Sequence, residues 1–330
     1  MIGSATLVAL ALSTLHSAYA VPFSLSIGPI TIGQSSSDSA QGVTALAPNT
    51  FRANFLRAAQ FTRIVYCSSQ SVASWKCGAP CQSMGGGVKV LQTGGEHIPR
   101  LRPVAEQMIM TVYIAHDTTT GSIVVTHQGT EKTSILSILN DVQIVQVPLN
   151  SRRFQGANGD IRVHDGFQKT FERTADTILA GVKSALAKTG AKKVLITGHS
   201  LGGVVGILDA MMLTQALGPS IKVTSQVFAL PRMGNKAFAN YVDAKLGSTM
   251  TRVSNQNDPV PLLPPKLLGY QQVSREVHIR SVSNGEPTNV VTCTGQENSV
   301  SVFIHLPLFS CAYVARTLAL IILSLGMLRG

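Results

Sequence analysis

From Lys193 to Gln256 the chain alternates short apolar β-runs with helical patterns: "KVLITG", "LGGVVGILDAMMLTQALG", "KVTSQVFAL", "NKAFANYVDAKLG" and "MTRVSNQ". Buried strands alternating with helices form a largely parallel sheet with helices on both faces, the α/β class. Upstream, "MIMTVYIAHD" and "GSIVVTHQGT" flank the polar turn Asp117–Gly121 and read as a hairpin, and "VQIVQVPL" as a further strand. A first helix is expected behind an Asn49-Thr50 cap, with Phe51, Phe55, Ala58, Ala59 and Thr62 on one face. "DGFQKTFERTADTILAGVKSALAKTG" reads as one long amphipathic helix stopped by Gly190.

Within this alternation, Gly198-His199-Ser200-Leu201-Gly202-Gly203 puts a serine at the turn between a buried strand and a helix. A sharp turn there needs glycine in front and behind to avoid clashes, and it lifts the Ser200 hydroxyl above the carboxyl edge of the sheet. The helix that begins at the turn aims free N–H groups and its positive dipole end at the same point. In a chain with 29 glycines the G-x-S-x-G spacing alone is weak, and its strand-to-helix context carries the signal.

A serine nucleophile needs a base that is itself oriented by a carboxylate, and on this scaffold the chain order is Ser, acid, His. "SNQNDPVPLLPP" ends a strand at Asp258 and follows it with a proline-stiffened loop; Asp209 lies in the helix after Ser200, too close in sequence to loop back. Beyond Asp258 stand only His278 and His305. His278 alternates with Val277 and Ile279 on the polar face of a strand, which leaves His305 as the base by elimination.

"YCSSQSVASWKCGAPC", "IVVTHQGTEKTSILSILND", "VHDGFQKTF", "ITGHSLGG", "FALPRMGN", "NQNDPVPLLPP", "GYQQVSREVHI" and "CTGQEN" occur in this order between Asn49 and Gln296. In this the chain resembles the fungal class 3 lipases, secreted α/β-hydrolases that cleave triacylglycerols. The resemblance implies Ser200 as nucleophile and Asp258 as triad acid. It implies an oxyanion hole formed by Thr130 and the N–H of Leu201. It also implies an amphipathic lid over the site, with Ile135, Leu136, Ile138 and Leu139 as its apolar face, opening at an oil–water interface. His164 in "VHDGF" is expected to be structural.

After Gln296 the chain departs from that family: "ENSVSVFIHLPLFSCAYVARTLALIILSLGMLRG" is no polar histidine loop. Three readings stand: His305 still reaches Ser200; the tail is a membrane anchor; or a mis-assembled gene model or variant transcript has replaced the loop that carries the base, leaving an impaired enzyme. The apolar run from Thr317 to Leu328 falls short of the ~20 residues a spanning helix needs, so anchoring is not favoured.

The expected organisation is a signal peptide over 1–20, ending at Ala18-Tyr19-Ala20, a flexible or pro-like lead over 21–48, the hydrolase domain over 49–300 and an atypical tail over 301–330. Five cysteines fit an oxidising, extracellular location, without fixing their pairing. The formal charge of +11 is scattered and not set in runs with interleaved aromatics, so no nucleic-acid partner is expected. No metal or organic cofactor is implied, because no His/Cys/Asp spacing suits one. The expected activity is hydrolysis of acylglycerol esters through an acyl-serine. A feruloyl-type or other soluble-ester esterase, and a non-catalytic lipid-binding protein, are the alternatives.

Overall fold

The computed structural model describes residues 42–94, 111–130 and 144–298. The strands are β1 (Val43–Leu46), β2 (Val88–Gly94), β3 (Val112–Asp117), β4 (Ser122–His127), β5 (Gln146–Pro148), β6 (Arg162–His164), β7 (Lys193–His199), β8 (Lys222–Phe228), β9 (Met250–Asn255), β10 (Glu276–Ser283) and β11 (Glu286–Cys293). The helices are α1 (Pro48–Ile64), α2 (Ser69–Ala73), α3 (Ala79–Gln82), α4 (Asp165–Glu172), α5 (Ala175–Thr189), α6 (Leu201–Leu217) and α7 (Lys236–Leu246).

Nine strands form one sheet in the order β1-β11-β10-β9-β8-β7-β4-β3-β2. Its centre, β10-β9-β8-β7-β4, is parallel, and antiparallel pairs extend both sides. Strand alternation sends Ile114, Ile123, Val125, Val194 and Ile196 to a core under α4, α5, α6 and α7, while Tyr113, Ala115, Val124 and Leu195 face α1 and the Val72–Met84 region. Helices therefore cover both faces, as the alternating pattern requires. Residues 201–213 of α6 are all buried, so this helix is the central post of the larger core. Cys77 and Cys81 are joined by a disulfide beside α3.

Several local expectations need correction. The first helix starts at Pro48 with Ala47 as its cap and no capping side chain, because proline's fixed φ seeds the first turn without one. Val43–Leu46, inside the segment read as a lead, pairs with β11 as an edge strand. The expected long helix is two, broken at Arg173-Thr174, where Thr174 N–H turns back to the Phe171 carbonyl. The segment after residue 144 contributes β5 to a small sheet with β6 and not to the central one.

Candidate active site

Ser200 joins β7 to α6 with φ 55° and ψ −124°, a backbone conformation that costs a non-glycine residue energy and that the surrounding packing must enforce. Its N–H donates to the Phe228 carbonyl at 2.9 Å and its carbonyl accepts from Val204 at 3.1 Å. A Cβ at Gly198 would run into the Gly202 carbonyl and lie 2.8 Å from the Gly203 nitrogen. One at Gly202 would strike the His127 carbonyl and lie 2.8 Å from the Gln128 carbonyl carbon. The glycines on either side of Ser200 are thus required by close backbone approach. Leu201, the first residue of α6, has an amide with no intrahelical acceptor, and that amide opens the helix's positive end.

Strand β4 runs parallel to β7 with His127 opposite Gly198, so residues 128–130 leave the sheet alongside the serine turn. Gln128 N–H is held by the Thr111 carbonyl at 2.8 Å. Gly129 N–H donates to Tyr66 Oη at 3.1 Å, and Tyr66 Oη lies 3.1 Å from His199 Nδ1. Thr130 is buried at the end of this arm. The strand behind it is pinned by a second contact, His127 Nε2 to Asp209 Oδ2 at 2.5 Å, between wholly buried side chains. His199 is also buried, which pulls its pKa down to about 4 and keeps the imidazole neutral.

Asp258 follows β9 in a tight turn: its N–H reaches the Asn255 carbonyl at 3.0 Å, and its Oδ1 accepts from Val260 N–H at 3.0 Å. Its Oδ2 is buried with no hydrogen-bond partner among the described residues. Burial pushes the carboxyl up to about 7, with the Val260 amide pulling the other way. His164 caps α4 by accepting from Gly166 N–H at 3.1 Å and stacks on Phe167, a structural position.

His278 and Glu276 do not lie on a solvated face. Both are buried: Ser254 Oγ contacts Glu276 and His278 Nδ1 (2.8 Å), and Glu276 pairs with Arg252 at 3.0 Å. Period-2 alternation identified the shared face, but it could not show that an Arg and a Ser from β9 would cover it. His305, the expected lid residues Ile135, Leu136, Ile138 and Leu139, the leader over 1–20 and the tail beyond 300 lie outside the described residues.

Two buried groups escaped sequence reasoning besides Tyr66 and the His127–Asp209 pair. Arg232 grips the Glu297 carboxylate through Nε (2.6 Å) and Nη2 (2.8 Å) and gives Nη1 to the carbonyls of Leu262 and Pro264 in the loop after Asp258. Its one visible trace in the sequence is a lone arginine in the apolar stretch "FALPRMGN".

This arrangement has known counterparts. Residues 124–268 match the family model for lipase (class 3). The secreted mono- and diacylglycerol lipase LIP1 of Malassezia globosa is 34% identical over 223 residues, 66% of this chain and 69% of that protein. MDL2 of the same species, also a secreted mono- and diacylglycerol lipase, is 37% identical over 176 residues, 53% of this chain but only 57% of its own length. The chain therefore spans little more than half of this second relative. A solved triacylglycerol lipase whose catalytic centre is described as a serine protease triad superposes with a TM-score of 0.66 at 25% identity, over 82% of this chain and 95% of that one. With the serine elbow, the parallel sheet beneath it and these likenesses taken together, the chain belongs to the class 3 lipase family.

Proposed function

We propose that this protein is a secreted serine hydrolase that cleaves carboxylic esters of acylglycerols through an acyl-Ser200 intermediate. The observation that carries the reading is the strained Ser200 turn, buried between the free end of α6 and an arm that continues the strand paired in register with β7. Ser200 Oγ attacks the ester carbonyl while the base takes its proton, and the oxyanion that forms is met by the N–H groups of Thr130 and Leu201. Collapse expels the alcohol, which receives the proton from the base; water then repeats the sequence and releases the acid. Asp258 holds the base's tautomer through the carboxylate oxygen that no described residue engages. His305 is the proposed base.

A lipid surface as the place of action is supported by an apolar knuckle. Leu267 is 95% exposed, and Leu268 and Val145 are about half exposed. Gln146 brings the latter two together by donating to the Leu268 carbonyl at 3.3 Å, with Lys266 and Arg162 alongside. The bridges Val163–Gly234 and Gly234–Gln271 place this knuckle beyond the carboxyl end of β8, the edge that carries Ser200. Apolar tips flanked by cations suit an anionic lipid–water boundary. The names of the relatives support mono- and diacylglycerols as substrates, and secretion with them.

The test is reaction with an active-site phosphonate ester, comparing the wild-type chain with Ser200→Ala and His305→Ala, alongside fatty-acid release from emulsified mono-, di- and triacylglycerols. Rapid labelling lost in both variants is expected. Labelling that survives His305→Ala would remove that histidine from the triad, and none in the wild type would remove the hydrolase reading.

A further inference from the structure

Tyr66 lies just past the C-terminal end of α1, far in sequence from the serine turn, yet its hydroxyl is inserted between the two halves of the site. On one side it accepts the Gly129 N–H at 3.1 Å; on the other it lies 3.1 Å from His199 Nδ1, with the two rings edge to face at 6.3 Å. Gly129 immediately precedes Thr130, and His199 immediately precedes Ser200. One oxygen atom thus bridges the residue before the proposed oxyanion donor and the residue before the nucleophile.

The direction of the Gly129 bond follows from valence. A backbone N–H can only donate, so the Gly129 bond uses an oxygen lone pair and leaves the phenol proton free for His199. His199 is buried and neutral, and the Nε2–H tautomer, whose Nδ1 accepts that proton, is the one assigned in the proposal below. Burial also raises the Tyr66 phenol above its ordinary range, so it stays a donor at neutral pH. The contact leaves little slack: a Cβ on Gly129 would lie 2.7 Å from Tyr66 Oη and would overlap the His199 carbonyl.

We propose that Tyr66 is a positioning residue for the oxyanion hole, its hydroxyl locking the Gly129–Thr130 arm to the His199–Ser200 turn so that the Thr130 amide stands at a fixed distance from Ser200 Oγ. The inference rests on the reading of Thr130 and Leu201 as oxyanion donors. Ground-state substrate binding needs no such lock, whereas the developing negative charge is sensitive to a small misplacement of its donors.

The test uses the full chain. Tyr66→Phe keeps the ring and deletes the bridge. On a water-soluble ester below its solubility limit, kcat should fall about 10- to 100-fold with KM within about twofold, less than the loss of a direct donor. Independently of activity, 15N-histidine NMR of the wild type should show His199 as the Nε2–H tautomer with a hydrogen-bonded Nδ1, and that Nδ1 signature should be lost in Tyr66→Phe. His199→Leu removes the acceptor while leaving Tyr66 in place; it should lower kcat similarly, and the double variant should be no worse than the weaker single one.

An unchanged kcat in a folded Tyr66→Phe protein, a rise in KM at constant kcat, or an Nδ1 resonance indifferent to the substitution overturns the proposal. Failure of the hydrolase reading shows differently: a wild-type protein that neither turns over nor takes up the phosphonate. That result also ends the proposal, since no oxyanion then needs positioning, even where the NMR signature persists.

Discussion

His127 Nε2 and the Asp209 carboxylate meet at 2.5 Å with neither side chain in contact with solvent, which ties the strand feeding the 128–130 arm to the middle of the helix that begins after Ser200. Asp209 is thus engaged by His127. Burial pushes its carboxyl up and His127 pulls it back. Asp209→Leu strands the His127 ring nitrogen in the core and should cost about 3–5 kcal/mol, the usual penalty for breaking a buried pair. Asp209→Asn keeps an acceptor and should cost about 1–2 kcal/mol. Urea unfolding of both variants separates these outcomes, and equal losses would mean that the pair does not hold the strand.

The Gly202 contact with the His127 and Gln128 backbone yields a second expectation. Gly202→Ala must push the arm away from the serine turn, so phosphonate labelling should slow by at least about 100-fold, comparable to losing an oxyanion donor. Gly159, where an added Cβ meets nothing within 4 Å, gives the control: Gly159→Ala should label at the wild-type rate.

How much of this was legible in the sequence depended on chain separation. The serine turn, the hairpin at Asp117–Gly121 and the alternation of strand and helix are local signals, and the structure carries all of them. The first helix starts a residue or two before the point its sequence suggests, because Asn49 resembles a cap while Pro48 at the first helical position supplies the needed φ itself. Tyr66 with His199, His127 with Asp209 and Arg232 with Glu297 are partners more than sixty residues apart, and no periodicity encodes them. β1 was hidden for the same reason, since a four-residue strand owes its existence to residues 290–293.

Asp258 makes stability depend on pH in a direction that tests its surroundings. Its folded pKa of about 7 lies above the ordinary 3.8, so the folded state keeps a proton that the unfolded chain has released. The stability this group contributes is present below about pH 4 and is lost as pH rises through 7, about 4 kcal/mol in all. Asparagine cannot ionise, so with Oδ2 unpaired the stability of Asp258→Asn relative to wild type climbs by that amount between pH 4 and 8; with the triad histidine on Oδ2, as proposed above, the difference should stay flat. Urea unfolding at both ends reads the difference. A climb of about 4 kcal/mol would mean that no base occupies Oδ2, against the triad proposed above.

Arg232 and Glu297 allow stability and catalysis to be separated. The guanidinium spans the Glu297 carboxylate and two carbonyls of the loop after Asp258, and Glu297 also accepts the Gln272 N–H at 2.7 Å. Burial alone would raise the Glu297 pKa, but the bonds from Arg232 win and lower it, so its contribution is present above the ordinary carboxylate range and lost as pH falls below it. Glu297→Gln leaves a buried cation half paired and should cost about 3–5 kcal/mol at pH 7. Arg232→Lys keeps the charge but cannot reach carboxylate and carbonyls together, so it should lose about 2 kcal/mol as well. Replacing both partners, Arg232→Met with Glu297→Leu, removes the unpaired charge and should recover most of the stability. It restores no donor to the Leu262 and Pro264 carbonyls, so the loop after Asp258 keeps only the Arg232 N–H on Leu263 and Gln272 on Pro261, and phosphonate labelling should remain slow. Recovery of labelling together with stability would show that the pair only glues the chain, and that Asp258 is held by its own turn through Asn255 and Val260.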